Sequence, residues 1–256
     1  MINERLCTKR ALVVLDDVST CEQLNSLCGS RNGIGPGSII IITTRDVRVL
    51  LGVDFIYEAE VLNLHESLEL FNWHAFREVS PTDDFLILSR YVVSYCGGLP
   101  LALEVLGSYL FKRTKEEWQS VLSKLEKIPN DKIHEKLKIS FDGLNDRMEK
   151  DIFLDVCCFF IGKDRAYVTE ILNGCGLHAD IGITVLIERS LIKVEKNNKL
   201  GMHDLLREMG REIVRESSPD EPEKRSRLWF HDDVVDVLTD HTVRISLHRV
   251  LISIYL

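Results

Sequence analysis

Two neighbouring carboxylates, Asp16 and Asp17, follow the uninterrupted aliphatic run Ala11–Leu15. Such a run predicts a strand buried on both faces of a parallel sheet. Open parallel sheets take their ligands beyond the carboxyl ends of their strands. Carboxylates at that end suit a hydrated Mg²⁺ on a nucleoside phosphate, because Mg²⁺ takes one or two carboxylates and keeps its waters. A plainer reading is equally available, in which Asp17 or Ser19 caps a helix near residue 20. The run Ser38–Ile42 predicts a second buried strand and ends on Thr43, Thr44 and Arg45. A guanidinium there is shaped to meet a terminal phosphate, although an exposed strand-end arginine needs no such role.

The phosphate cradle that this chemistry calls for does not follow from the glycines. Gly29 to Gly37 holds four Gly and one Pro in nine residues. It precedes a strand, whereas a P-loop follows one and reads GxxxxGK[ST]. No Gly-Lys-Ser/Thr occurs in the chain; its only Gly-Lys is Gly162-Lys163-Asp164. The glycine-rich stretch therefore reads as a connection.

The positioning elements follow from periodicity. Helix 20–28, helix 46–51, a short strand 56–61 and a helix 65–77 complete a β/α unit with the two strands. Residues 83–127 change to helices: 83–96, 100 to about 112 after the turn at Gly97-Gly98, and one around Trp118 to Leu125, with a further helix starting at Pro129-Asn130-Asp131. Pro100 stands at a favoured first helical position. From Asp146, the apolar face Ile152, Phe153, Val156, Phe159 and Phe160 reads as core packing rather than a partner surface. Helices 165–173 and 180–189, a hairpin around Lys196-Asn197-Asn198-Lys199 and helix 203–215 then suggest a winged helix.

The expected architecture is α/β plus α: a parallel sheet, then a helical bundle and a winged-helix subdomain, the sheet being a partial P-loop NTPase-like one by what the resemblance given below implies. The expected boundaries are 1–78, 79–145 and 146–240, with a divergent tail at 241–256.

The totals exclude several classes. The 256 residues carry a net charge of −8 and no long run of one sign, which argues against nucleic acid as a partner. The winged-helix segment mixes Glu and Asp with Arg and shows no basic base-reading face. Seven Cys, without CxxC spacing, predict buried reduced thiols in a cytoplasmic or nuclear protein. The first residues have no signal-peptide core, and the apolar runs at 153–161 and 250–256 fall short of a membrane span.

In order, Leu12-Val13-Val14-Leu15-Asp16-Asp17-Val18, Gly37-Ser38 through Thr43-Thr44-Arg45-Asp46, Gly98-Leu99-Pro100-Leu101-Ala102-Leu103, Phe153-Leu154-Asp155-Val156-Cys157-Cys158-Phe159-Phe160 and Met202-His203-Asp204-Leu205 resemble the successive motifs of the NB-ARC module of plant intracellular immune receptors. Ser19 stands where coiled-coil receptors carry Trp. The stretches 153–160 and Lys224-Arg225-Ser226-Arg227-Leu228-Trp229 resemble the TIR type.

The resemblance implies a nucleotide switch, closed with ADP and opened by ATP. It implies that Asp16 assists Mg²⁺, Asp17 positions or activates the hydrolytic water, and Arg45 senses the terminal phosphate. Pro100, with Leu101 beside it, would pack on adenine, and His203 would reach the ADP β-phosphate. Read without the family, His203 is a helix N-terminal residue beside Asp204.

The family's P-loop strand and any TIR domain would precede residue 1. The chain is therefore expected to be a fragment with weak or absent nucleotide binding. Three functions compete: a receptor-derived nucleotide switch in plant defence, a non-enzymatic adaptor or decoy pairing with full-length NB-LRR receptors or other defence proteins, and an active NTPase. The last is weakest, because phosphoryl transfer depends on positioning and charge neutralisation by the missing cradle.

Overall fold

A computed structural model describes residues 9–28, 35–77, 83–125 and 129–239. The described residues are helix-rich, with one small parallel sheet and one small antiparallel hairpin among them. It divides into two compact units, one of Met1–Glu58 with Thr184–Ser190, the other of Ala59–Ile183 with Leu191–Leu256. The tail 241–256, Cys7 and most of the glycine-rich stretch lie outside the described residues.

In the first unit, β1 (Leu12–Leu15) pairs in parallel with β2 (Ile39–Ile42), Leu12 opposite Ile39 and Leu15 opposite Ile42. Helix α1 (Cys21–Cys28) lies between them in sequence. The burial expected of these strands is not observed. Leu12 is 65 % exposed and Ile39 56 %. A parallel sheet becomes a core only when layers cover both of its faces. The described part of this unit offers one short helix, in which Leu24 is half-buried, the end of the helix Ala179–Glu188, and a 3₁₀ turn at Val47–Leu50 in place of the helix expected over 46–51. That turn is fastened by Asp46. Its carboxylate accepts from the Arg48 backbone N–H at 3.0 Å and from the Arg48 guanidinium at 2.6 Å, and Arg189 lies 3.8 Å away. No strand forms at 56–61, where Phe55 and Tyr57 stand exposed on either side of Ile56.

The second unit holds the core. It begins with α2 (Leu64–Phe76), α3 (Leu86–Cys96), α4 (Pro100–Leu110), α5 (Lys115–Leu125) and α6 (Asp131–Asp142). Asn63 opens α2 with a capping box completed by Glu66. A 3₁₀ turn, Asp83–Phe85, replaces the first turn of the helix expected over 83–96. Trp118 is 1 % exposed and donates its indole N–H to the Leu110 carbonyl at 3.1 Å. Phe71, Phe76 and Phe85 surround it with ring centroids 5.0–5.8 Å away, each contact contributing about 0.5–1.5 kcal/mol beyond area burial.

The chain continues through α7 (Arg147–Asp155), α8 (Arg165–Gly174), α9 (Ala179–Glu188), β3 (Lys193–Val194), β4 (Leu200–Gly201), α10 (Asp204–Glu216) and α11 (His231–Thr239). Strands β3 and β4 pair antiparallel as the expected hairpin. The apolar stretch beyond α7 is not plain α-helix: Val156–Phe160 forms a π-helical turn. Phe153, Val156, Cys157 and Phe160 are buried there, so this face is core. Arg211 of α10 donates to the Cys157 carbonyl at 3.2 Å, serving an acceptor within the widened turn. Cys96, Cys157 and Cys158 are buried, and burial pushes the Cys96 and Cys158 thiols up to about 12. Cys21 and Cys175 are exposed, so the expectation of buried thiols holds for three of the five cysteines whose side chains are described. Cys21 begins the short helix α1, and Cys175 follows the last residue of α8.

Candidate functional site

The acidic end of β1 is a hydrogen-bonded corner rather than a pair of loose carboxylates. Asp16 Oδ1 accepts from the Thr43 hydroxyl at 2.5 Å, and that hydroxyl accepts from the Asp17 backbone N–H at 2.8 Å. Thr43 sits just beyond β2, and its backbone N–H reaches the Leu15 carbonyl at 2.9 Å, so the strand pairing itself sets this geometry. Asp17 has a left-handed backbone, φ 52°, which only a few residue types accept readily, Asp among them. The turn aims its carboxylate at Arg45, whose Nη2 lies 2.8 Å from Oδ1 and 3.0 Å from Oδ2. Arg45 is thus tied to Asp17, with both side chains about half-exposed or more.

Asp16 and Asp17 open onto a groove of about 520 Å³ that is also lined by Glu22, Gln23 and Ser26 of α1. Its donor set fits a hydrated Mg²⁺, which needs one or two carboxylates. Among the described residues no trio of His, Cys, Asp and Glu is placed to hold a metal by protein ligands alone. The groove offers phosphate far less. Arg45 is the cation at the corner, and it already serves Asp17.

The second unit gathers the other residues singled out from sequence. Pro100 is the exposed first residue of α4, and Leu101 beside it is half-buried. Gly97 and Gly98 turn the chain into α4 with φ 57° and 77°. A Cβ on Gly98 would stand 2.3 Å from the Leu62 carbonyl oxygen. His203 precedes α10, and its Nδ1 accepts from the Leu205 backbone N–H at 3.2 Å. Since a backbone N–H only donates, Nδ1 is the unprotonated ring nitrogen. The proton is then on Nε2, which donates to the Gly97 carbonyl at 3.2 Å. His203 is therefore both a helix cap and a tie to the turn that presents Pro100.

Two further contacts hold α10 on the bundle and the π turn, and neither was read from sequence. Tyr95 of α3 donates to Glu208 at 3.0 Å. Burial raises the Glu208 carboxyl above its usual range, and burial with the nearby Glu208 charge raises Tyr95. Gly210 faces Cys157, and a Cβ there would stand 2.4 Å from the sulfur. Charged side chains carried no signal for the first contact, and a mid-helix glycine was the available hint for the second. Thr43 was visible as a polar strand tip but not as the bridge to both aspartates.

Residues 1–80 match the NB-ARC domain family, and residues 146–218 match the winged-helix domain of Roq1-like disease resistance proteins. The chain belongs to the NB-ARC disease-resistance family. It is 49 % identical over 241 residues to disease resistance protein RUN1 of Vitis rotundifolia, covering 93 % of this chain and 18 % of that protein. It is 39 % identical to TMV resistance protein N of Nicotiana glutinosa, over 98 % of this chain and 22 % of that one. With disease resistance protein RPP4 of Arabidopsis thaliana the identity is 37 %, over 94 % and 21 %. The NB-ARC chain thus spans about a fifth of the length of these relatives. No helix among its described residues is long and apolar enough to cross a membrane.

Proposed function

We propose that this NB-ARC chain is part of an adenine-nucleotide-operated switch in a plant immune receptor of the TIR type, acting in the cytoplasm or nucleus. The reading includes a partial P-loop NTPase-like sheet within 1–78, a helical-bundle part at 79–145, a winged-helix part at 146–240 and a separate tail from 241. The observation that carries it is the tie of His203 to the Gly97 carbonyl, three residues before Pro100. A residue of the winged-helix segment thereby senses the turn that would carry an adenine contact.

ADP or ATP with Mg²⁺ would supply the charge that distinguishes the closed from the open state. Asp16 would hold Mg²⁺ through its waters, Asp17 would orient a water, and Arg45 would exchange Asp17 for a terminal phosphate. His203 Nε2–H is a donor, the polarity that a β-phosphate oxygen requires. A hydrogen bond to a charged partner contributes about 1.5–3 kcal/mol, enough to bias a two-state equilibrium through a coupling of roughly 5–150-fold. Without the Gly-Lys-Ser/Thr cradle, affinity in this chain is weak and turnover negligible.

Calorimetry tests the reading with Mg-ADP, first on this chain and then on the chain joined to a segment bearing GxxxxGK[ST]. Weak binding that becomes tight on joining, and that His203→Ala and Arg45→Ala both loosen, is expected. Tight binding by the chain alone, or indifference of the joined protein to both substitutions, overturns it.

The open sheet favours a second reading, a non-enzymatic adaptor or decoy. Leu12, Val14, Ile39 and Ile41 present apolar surface, and exposed patches of this kind mark association sites. Co-purification with a full-length NB-LRR receptor, lost on Val14→Lys, would support that reading. A clean monomer without such a partner counts against it.

A further inference from the structure

A cavity of about 260 Å³ lies at the start of α6 and the last turns of α10, both within the second unit. It is lined by Pro129, Asp131, His134, Glu135, Glu212 and Glu216. His134 is 9 % exposed, yet neither of its ring nitrogens has a hydrogen-bond partner. Leaving a buried polar group unmatched is costly, and native interiors rarely do so. Glu212 Oε2 is buried as well. It is 2.9 Å from an Arg215 nitrogen in an ion pair and has no hydrogen-bond partner.

The cations paired at this end are Arg215 and Lys138, whose ammonium is 3.8 Å from Glu216. Four carboxylates line the cavity. Two of them stand at the C-terminal end of α10, where the helix's own carbonyls add negative potential. Among the described residues acceptors are therefore in excess, and the complement they fit is a donor-rich cation.

Size and geometry narrow the ligand. Pockets for drug-sized molecules span about 300–1,000 Å³, so a nucleotide does not fit here. No described trio of His, Cys, Asp and Glu is arranged around a metal position. We propose that this cavity binds a small organic cation, a guanidinium or primary ammonium group no larger than an arginine side chain. Glu212 Oε2 and the lone pair of His134 accept its N–H groups. Asp131, Glu135 and Glu216 supply the attracting field. The site is independent of the nucleotide reading, since none of its residues has a part there.

The test titrates N-acetylargininamide, spermidine, MgCl₂ and CaCl₂ separately into the full chain and follows the His134 ring C–H resonances. A saturable shift with an organic cation is expected, weakened about tenfold or more in Glu212→Gln, as loss of a charge-assisted hydrogen bond implies. The exposed Glu216→Gln, which risks the fold less, weakens it to a smaller degree. Tighter binding of the argininamide points to a protein side chain as the source, and tighter binding of spermidine to a free polyamine. No saturable shift with either organic cation, an equal shift from Mg²⁺ or Ca²⁺ alone, or affinity unchanged in both glutamine variants overturns the proposal.

Discussion

His203 donates from Nε2 to the Gly97 carbonyl across 3.2 Å, and a Cβ on Gly97 would stand 2.9 Å from that same nitrogen. Gly97 also has φ 57°, which costs a residue with a side chain roughly 1–2 kcal/mol. Gly97→Ala is therefore expected to lower the free energy of urea unfolding by at least that amount and to move the His203 ring resonances. An unaltered midpoint together with an unaltered ring signal would show that the contact holds nothing.

Arg227 and Asp155 form a buried ion pair at 2.5 Å, with side chains 4 % and 0 % exposed. Arg227 also reaches the Asp151 carbonyl at 3.0 Å. Removing one partner strands a buried charge, at about 3–5 kcal/mol. Arg227→Met should destabilise the protein by that order, and Arg227→Met with Asp155→Leu should recover much of the loss. A double variant no more stable than the single one would refute the pairing.

Glu208 predicts a pH response. Its carboxyl is raised chiefly by burial above an ordinary value of 4.5. The folded protein therefore holds this proton more tightly than the unfolded chain, and the associated stability is present below 4.5 and lost as pH rises through the raised value. The carboxylate form is the strained one. Glu208→Gln, which keeps an acceptor for Tyr95, should flatten this part of the stability–pH curve. A slope identical in wild type and Glu208→Gln would assign the response elsewhere.

Asp46 gives the opposite sign. The hydrogen bond from Arg48, first, and the Arg48 and Arg189 charges hold its carboxyl below 3.8, outweighing burial. Its contribution is present above 3.8 and lost as pH falls through the lowered value. Asp46→Asn should blunt acid loss of structure in the first unit. Amide exchange of Arg48 and Val49 at low pH measures this, and equal exchange in both proteins would contradict it.

Gly210→Ala is expected to destabilise, although alanine ordinarily favours a helix by about 1 kcal/mol over glycine. The new methyl would meet the Cys157 sulfur at 2.4 Å and Phe153 at 3.1 Å. Overpacking of this kind costs about 1–3 kcal/mol. Thermal unfolding decides it, and a higher midpoint would mean that the π turn yields freely.

Much of this protein was legible from local pattern. Helices α2 to α10 appear within a few residues of their expected positions because apolar spacing, Asn63, Asn130 and Asp146 as caps, and Pro100 at a helix start act over one or two turns. The aliphatic runs correctly signalled β1 and β2. The sequence also carried the five motifs in order, and so the family.

Burial and pairing were decided in three dimensions. Continuous apolar runs imply covering layers, but coverage of β1 and β2 depends on what else packs there. The run near 56–61 pairs with no strand among the described residues. The tautomer of His203, the bridge through Thr43, the Tyr95–Glu208 contact and the unmatched nitrogens of His134 join or leave apart residues distant in the chain. Spacing along one chain encodes which side chains share a helix face, whereas which donor meets which acceptor is settled only when separate elements are packed and their remaining polar atoms must find partners.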